Sequence, residues 1–173
     1  WYRLTGFSHA KILSIDTSDA EKLPGVLAVT TGADWPDLED KVADLGEGSV
    51  HLPYLSGNCM ANDKALYKGH AVAAVAAVDV HTAEEALKLI KVEYEPLHSV
   101  TWVLDAMKPD APIVHDHLRT DSMGELGDEE TNVATHLHFE KGNIEEGVAE
   151  ADVVIERECM TASVHQGYIE TQV

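Results

Sequence analysis

The sequence is short of cysteine, of positive charge and of long apolar runs, and each shortage closes off a class of protein. Two cysteines, Cys59 and Cys159, stand far apart in 173 residues. That excludes a disulfide scaffold and CxxC-type zinc or redox sites. The expectation is two unpaired thiols in a chain of the reducing cytoplasm. Twelve Lys and Arg face 31 Asp and Glu, a formal charge of −19. A surface that acidic repels phosphate backbones and anionic lipid headgroups, which argues against nucleic-acid binding and electrostatic membrane docking. No apolar run nears the ~20 residues of a spanning helix. The longest, Ala71 to Val78, is mostly alanine and stops at Asp79.

What is present suffices for one domain and part of a neighbour, with 45% hydrophobic residues to build a core. The chain opens on Trp1 with no signal segment after it and closes on residues 168–173 without a turn or polar tail. It is therefore expected to be a piece of a longer polypeptide. Ala10 to Ile15 reads as a short strand, and Ser18 with Glu21 has the form of a capping box opening a short helix. Pro24-Gly25 ends that helix, and Val26 to Thr30 is a second strand. Residues 37–64 hold no period of 2 or 3.6 and read as a long surface excursion.

The clearest architecture lies between residues 66 and 100. Both alternating sets of Ala71 to Val78 are apolar, as a strand buried on both faces requires. Thr82 and Glu85 repeat the capping-box form, and Ala83, Ala86, Leu87 and Ile90 fall on one helical face. Lys91 to Glu95 alternates with Val92 and Tyr94 inward until Pro96. Two strand–helix–strand units predict an α/β (α+β) fold. Residues 119–131, with five acids and two glycines, read as an acidic linker or loop and carry the domain boundary. Beyond it the pattern predicts a strand from Val133 to Phe139, a helix capped by Asn143 with Ile144, Val148 and Ala151 as its stripe, and a strand from Val153 to Cys159.

No strong catalytic or metal motif is present. His115/His117 and His136/His138 are H-x-H pairs, and residues two apart on a strand could share one ion. His136 and His138 alternate with Leu137 and Phe139, which favours an apolar side packed inward and imidazoles facing water. His115-Asp116-His117 lies in a polar stretch, and a stand-alone acidic metal-binding module built on His115 and His117 is the alternative function. Gly46-Glu47-Gly48 is a lone GxG, and Tyr67-Lys68-Gly69 lacks the glycine of a phosphate loop. No GxSxG elbow occurs. Glu145 and Glu146 fall on the solvent side of their helix.

Ser8-His9-Ala10-Lys11-Ile12-Leu13-Ser14-Ile15-Asp16, with Leu23-Pro24-Gly25-Val26 after it, resembles the opening of molybdenum hydroxylase large subunits, the xanthine dehydrogenase and aldehyde oxidase family. Gly69-His70-Ala71-Val72-Ala73-Ala74-Val75 and Val92-Glu93-Tyr94-Glu95-Pro96-Leu97 are similar to later strands of that domain. Lys141-Gly142-Asn143-Ile144-Glu145-Glu146-Gly147 and His165-Gln166-Gly167-Tyr168-Ile169-Glu170 resemble the segment opening the molybdopterin-binding domain. The resemblance covers residues 8–36, 66–107 and 132–173 in family order. The family's strand ahead of the Ser-His segment is missing or shortened, and residues 37–64 have no counterpart.

The resemblance implies an α/β hammerhead domain over residues 1–118, the linker 119–131, and over 132–173 the first fragment of the molybdopterin-binding domain. It implies a parent enzyme that hydroxylates N-heterocycles or aldehydes with oxygen from water. Molybdopterin would serve that parent, and 2Fe-2S clusters and FAD would sit on other domains or subunits, which are the expected partners. Relatives of this layout act on xanthine, nicotinate, carbon monoxide and aldehydes, so fold similarity does not choose the substrate. The family's catalytic groups are expected beyond Val173, so no catalytic, cofactor-binding or metal residue is assigned here. Gln166 and Glu170 are read as structural. The fragment is expected to be inactive, to bind no cofactor, and to dock or form a homo-dimer through the edges of its incomplete second domain.

Overall fold

A computed structural model of the chain describes residues 1–39, 41–44, 49–116, 118–164 and 167. These divide into two compact units, Trp1–Leu137 and His138–Val173. In chain order the first unit contains β1 (Tyr2–Leu4), β2 (Ala10–Asp16), α1 (Ser18–Glu21) and β3 (Val26–Thr31). After these come β4 (Val42–Asp44), β5 (Ser49–His51), α2 (Leu52–Cys59), β6 (Lys64–Ala65) and β7 (Ala71–Ala77). It continues through α3 (Val80–Leu89), β8 (Lys91–Pro96), α4 (Val103–Ala106), β9 (Arg119–Ser122) and β10 (Glu125–Glu130).

Two three-stranded antiparallel sheets form the frame, ordered β1-β7-β3 and β6-β2-β8. Each strand–helix–strand unit crosses between them: α1 carries the chain from β2 to β3, and α3 carries it back from β7 to β8. Strand β7 is the shared wall. Its Ala73 and Val75 pack with Ala20 of α1 and with Ala83, Ala86 and Ile90 on the face of α3 read from the sequence. Its Val72 points the other way and packs with Ile12 of β2 and Ala61, flanked by Val92 and Tyr94 of β8. Burial on both faces therefore holds for the first half of the strand, while Ala76 and Val78 are exposed. The three-residue β1, ahead of the Ser-His segment, pairs with β7.

Several local expectations are corrected. The amide-capping oxygens lie upstream of the residues proposed for them. Asp16 Oδ1 accepts from the Ser18 amide at 3.0 Å, and Asp79 Oδ1 accepts from the Thr82 amide at 2.8 Å. Asp79 is the N-cap of α3, a position where aspartate serves as well as serine or threonine, whereas Thr17, the N-cap of α1, makes no side-chain cap bond. Residues 37–64 are not an irregular excursion: they hold the β4–β5 hairpin and the eight-residue α2, and they contribute buried Met60 and Ala61. Helix α2 has no buried residue of its own, so it lacked the apolar stripe that periodicity detects. Residues 119–131 are not a loose linker, because β9 and β10 pair as an antiparallel hairpin. Met123 and Gly124 both take positive φ at its tip, the backbone a tight two-residue hairpin demands.

Val133 to Phe139 forms a single bridge, Asp121 with Thr135, instead of a strand. Leu137 and Phe139 are exposed rather than packed inward, since no described element covers them. In the second unit, α5 (Ile144–Glu150) is capped as read, with Asn143 Oδ1 accepting from the Glu146 amide at 3.2 Å. Its Ile144 and Val148 are exposed, and Val153 to Cys159 is in no ladder among the described residues.

One buried glycine sits tight against the backbone of Ala61 and Asn62. A Cβ on Gly32, just after β3, would lie 2.7 Å from the Ala61 carbonyl oxygen and 2.8 Å from the Asn62 Cα. Both atoms are backbone and cannot swing aside. Gly32→Ala is expected to lower stability by about 1–3 kcal/mol, read as a drop in the urea midpoint with an unchanged m-value. Gly57→Ala, with nothing within 4 Å of its Cβ, serves as the near-neutral control.

Candidate functional site

The first unit has a cavity of about 650 Å³ between α2, the segment leading through β6, the loop ahead of β9, and the end of β10. Pro53, Tyr54 and Gly57 come from α2, Asn62, Asp63, Lys64 and Leu66 from the β6 segment, Val114, His115 and Asp116 from the loop, and His51 and Glu130 from the strand ends. Its volume is in the range of small-molecule sites.

Three rings form one wall. His51 lies 4.3 Å from Tyr54, tilted, and His115 meets Tyr54 at 5.5 Å nearly edge-on. Lys64 is largely covered, its side chain 15% exposed, and its Nζ donates to the Val114 carbonyl at 3.0 Å and pairs with Asp116 at 2.7 Å. The ammonium is thus committed to the loop that carries His115.

Two side chains hold the walls in place. His70 is fully buried, accepts the Leu66 amide at Nδ1 (3.2 Å) and donates from Nε2 to the Gly57 carbonyl at 2.8 Å. Those bonds set one neutral tautomer and tie α2 to the β6–β7 turn. Tyr67 stacks on His70 at 4.4 Å and donates its hydroxyl to the Asn58 carbonyl. On the other side, Asn132 donates to the Ala106 and Pro112 carbonyls and accepts the Val114 amide. This clamp fastens the loop bearing His115.

Burial is the main cause that lowers the pKa of both His70 and His115. Lys64 lowers that of His115 further, against a smaller opposing pull from Asp116. His9 is a third covered imidazole: its Nδ1 donates to the His98 carbonyl at 2.8 Å, while the buried Nε2 has no hydrogen-bond partner among the described residues.

The residues singled out in the sequence are scattered. His115 enters the cavity, but His117 lies outside the described residues, so the pair is not described. Among the described residues no group of three or more His, Cys, Asp or Glu could hold a metal ion. His136 and His138 are exposed, and His138 stands 3.6 Å from Glu140. Cys59 and Cys159 are exposed and in no disulfide. Gly46 to Gly48, Gln166 and Glu170 lie outside the described residues. Glu145 and Glu146 are exposed in the first turn of α5, as expected. No helix among the described residues is long and apolar enough to cross a membrane. Reading the sequence missed Tyr54, Lys64 and Asn132, which lie far apart in the chain and in no motif.

Acid should loosen the first unit. Both rings, His70 buried and His115 half-buried, favour the neutral form when folded, so as pH falls the unfolded chain takes up protons first. The stabilisation is complete above about pH 6.5 and is lost as pH drops below it. Asp16, Asp19, Asp34 and Asp79 are held below their ordinary 3.8 and withdraw stability only in more acid solution. The urea midpoint is therefore expected to fall between pH 7.5 and 5.5, and to fall less steeply in His115→Gln. A midpoint flat across that window would refute the assignment of neutral imidazoles.

Residues 5–98 match the family model described as aldehyde oxidase and xanthine dehydrogenase, a/b hammerhead domain. Over 96% of its length the chain is 35% identical to the probable hypoxanthine oxidase XdhD of Escherichia coli, covering 20% of that protein. It is 38% identical to the carbon monoxide dehydrogenase large chain of Afipia carboxidovorans over 69% of this chain and 14% of that one. The reconstituted CO dehydrogenase from Oligotropha carboxidovorans superposes with a TM-score of 0.62 at 31% identity, over 88% of this chain and 18% of that one. The chain thus spans about a fifth or less of the length of these proteins. With its two crossed strand–helix–strand units and the match across residues 5–98, the chain belongs to the aldehyde oxidase and xanthine dehydrogenase a/b hammerhead family.

Proposed function

We propose that the chain is a non-catalytic part of a molybdenum-dependent hydroxylase. Residues 1–118 are its hammerhead domain, residues 119–131 the connecting hairpin, and residues 132–173 the opening of its molybdopterin-binding domain. The whole enzyme oxidises an N-heterocycle or an aldehyde, with water supplying the oxygen. Electrons leave through iron–sulfur and flavin groups on other domains or subunits. The observation that carries this reading is the extent of the likeness, which runs through both units and reaches 88% of the chain in a CO dehydrogenase structure.

Molybdopterin is an anionic, phosphate-bearing pterin, and the described residues that line the cavity do not suit it. The developed cavity presents Asp63, Asp116 and Glu130, and its lysine is already held by Asp116 and a carbonyl. No step of the redox reaction is therefore assigned to this chain. Its contribution is packing: the second unit displays Phe139, Ile144, Val153 and Ile155, each more than 70% exposed, an apolar set suited to burial against the rest of the cofactor domain.

The test uses the 173-residue chain beside the complete encoded polypeptide. The chain alone is expected to purify without stoichiometric molybdenum or pterin and to leave hypoxanthine, an aldehyde and carbon monoxide unoxidised with a dye acceptor. The complete polypeptide, assembled with its partner subunits, is expected to oxidise one of these classes. Turnover by the chain unaided, or a pterin bound one to one, would overturn the reading.

A further inference from the structure

The β9–β10 hairpin is covered unevenly. Along one edge β9 pairs with β10. Along its other edge the Asp121 amide donates to the Ala134 carbonyl and the Asp121 carbonyl accepts the His136 amide. β10 has β9 as its one strand neighbour among the described residues, and each of its six residues, Glu125–Glu130, is exposed. Such an edge presents a row of free amides and carbonyls to any extended chain.

Beside this strand lies a cleft of about 560 Å³. Asp128 and Glu129 of β10 bring acid to its lining, while Ala106, Met107, Pro109, Ala111 and Ile113 bring apolar surface. The cleft is preformed. Asn132, two residues past β10, donates to the Ala106 and Pro112 carbonyls and so ties the apolar segment to the hairpin. Met107 and Leu126 are each more than half exposed.

The charge here is open. The carboxylates of Glu125, Asp128 and Glu129 enter no ion pair among the described residues. Lys108, which also lines the cleft, is held by Asp105 at 2.6 Å. A metal ion finds no group of three donors among the described residues. A second copy of β10 would set acid against acid across the ladder, which destabilises a strand pair. An extended chain with cationic and apolar side chains meets all three features: the backbone edge, the carboxylates and the apolar lining.

We propose that β10 and its cleft receive an extended basic segment of another protein chain, added as a further strand on the open edge of β10. Backbone bonds to β10 hold the segment, its Lys or Arg side chains face Glu125, Asp128 and Glu129, and its apolar side chains rest on Met107 and Ile113. The two kinds alternate along the segment because successive side chains of a strand point to opposite faces. The chain's overall charge of −19 draws such a segment in, an effect that salt screens. Docking here does not depend on the reaction of the proposed parent enzyme.

The probe is a fluorescein-labelled, end-blocked peptide of alternating lysine and valine, about six residues long, the length of an ordinary strand. Titrated into the 173-residue chain at pH 7.5, it is expected to bind saturably, one to one, and more weakly in 0.5 M salt. Amide hydrogen exchange within Glu125–Glu130 is expected to slow on binding, which diffuse attraction between charges would not produce. The peptide with glutamate in place of lysine, and the lysine peptide with every backbone amide N-methylated, are expected to bind at least tenfold more weakly. Asp128→Asn with Glu129→Gln should weaken the probe at least fivefold, and Met107→Ser severalfold. All three residues are exposed, so these variants keep the fold, with circular dichroism as the check. Glu145→Gln with Glu146→Gln removes the same number of charges from α5 and should leave the affinity unchanged. Equal binding of the N-methylated peptide would overturn the proposal by reducing the effect to attraction between charges. So would unchanged affinity in Asp128→Asn with Glu129→Gln, or slowed exchange that spares β10. Self-association of the chain that protects the β10 amides and excludes the probe would assign the edge to a second copy, and would equally overturn it.

Discussion

The smallness of the side chains along β7 is the constraint on which the rest depends. A strand that faces two cores needs residues that let a helix approach on one side and a second sheet on the other. Ala73 admits Ala83 and Ala86 of α3, so the helix backbone sits close to the sheet. Val72, on the opposite face, fills the space before Ile12 and Ala61. Larger residues at the alanines would push α3 outward, and with it the crossing that returns the chain to β8. Close packing of small groups contributes many weak dispersion contacts, and a void or a bump forfeits them.

From the start of β7 the same constraint extends to the cavity. His70 directly precedes the strand, and its ring bonds link the Leu66 amide to the Gly57 carbonyl. A buried imidazole with both nitrogens engaged acts as a rigid strut, because losing either bond leaves a desolvated polar atom. The cavity's other wall rests on Asn132, whose amide meets three backbone groups of residues 106–114. Two neutral side chains thus position a charged pair, Lys64 with Asp116, that could not order the loop alone. Ion pairs with one partner half exposed contribute little, whereas multiply bonded polar groups under cover specify geometry.

Much of the first unit was legible from residue pattern. The double-faced run at Ala71, the helical stripe of Ala83, Ala86, Leu87 and Ile90, and the alternation through Val92 and Tyr94 all occur where the periods placed them. Helix α2 was illegible because none of its residues is buried, which leaves no apolar period to read. The β9–β10 hairpin was hidden by composition: every residue of Glu125–Glu130 is exposed, and its ladder comes from backbone bonds that five acids and two glycines do not advertise. The candidate site was less legible still. Only His115 drew notice, as one half of a pair with His117, which lies outside the described residues.

By itself the sequence determined the charge, the lack of a disulfide framework, the two strand–helix–strand units and the family likeness. Each of these is carried by local composition or by residues close together in the chain. Only the tertiary structure decided that the two units cross between separate sheets, that β7 divides two cores, and that Tyr54, Lys64, His115 and Glu130 share one cavity. Periodicity says which face of an element is buried, yet not against what. Residues 54 and 130 become neighbours only through long-range packing and the backbone bonds that hold their segments together.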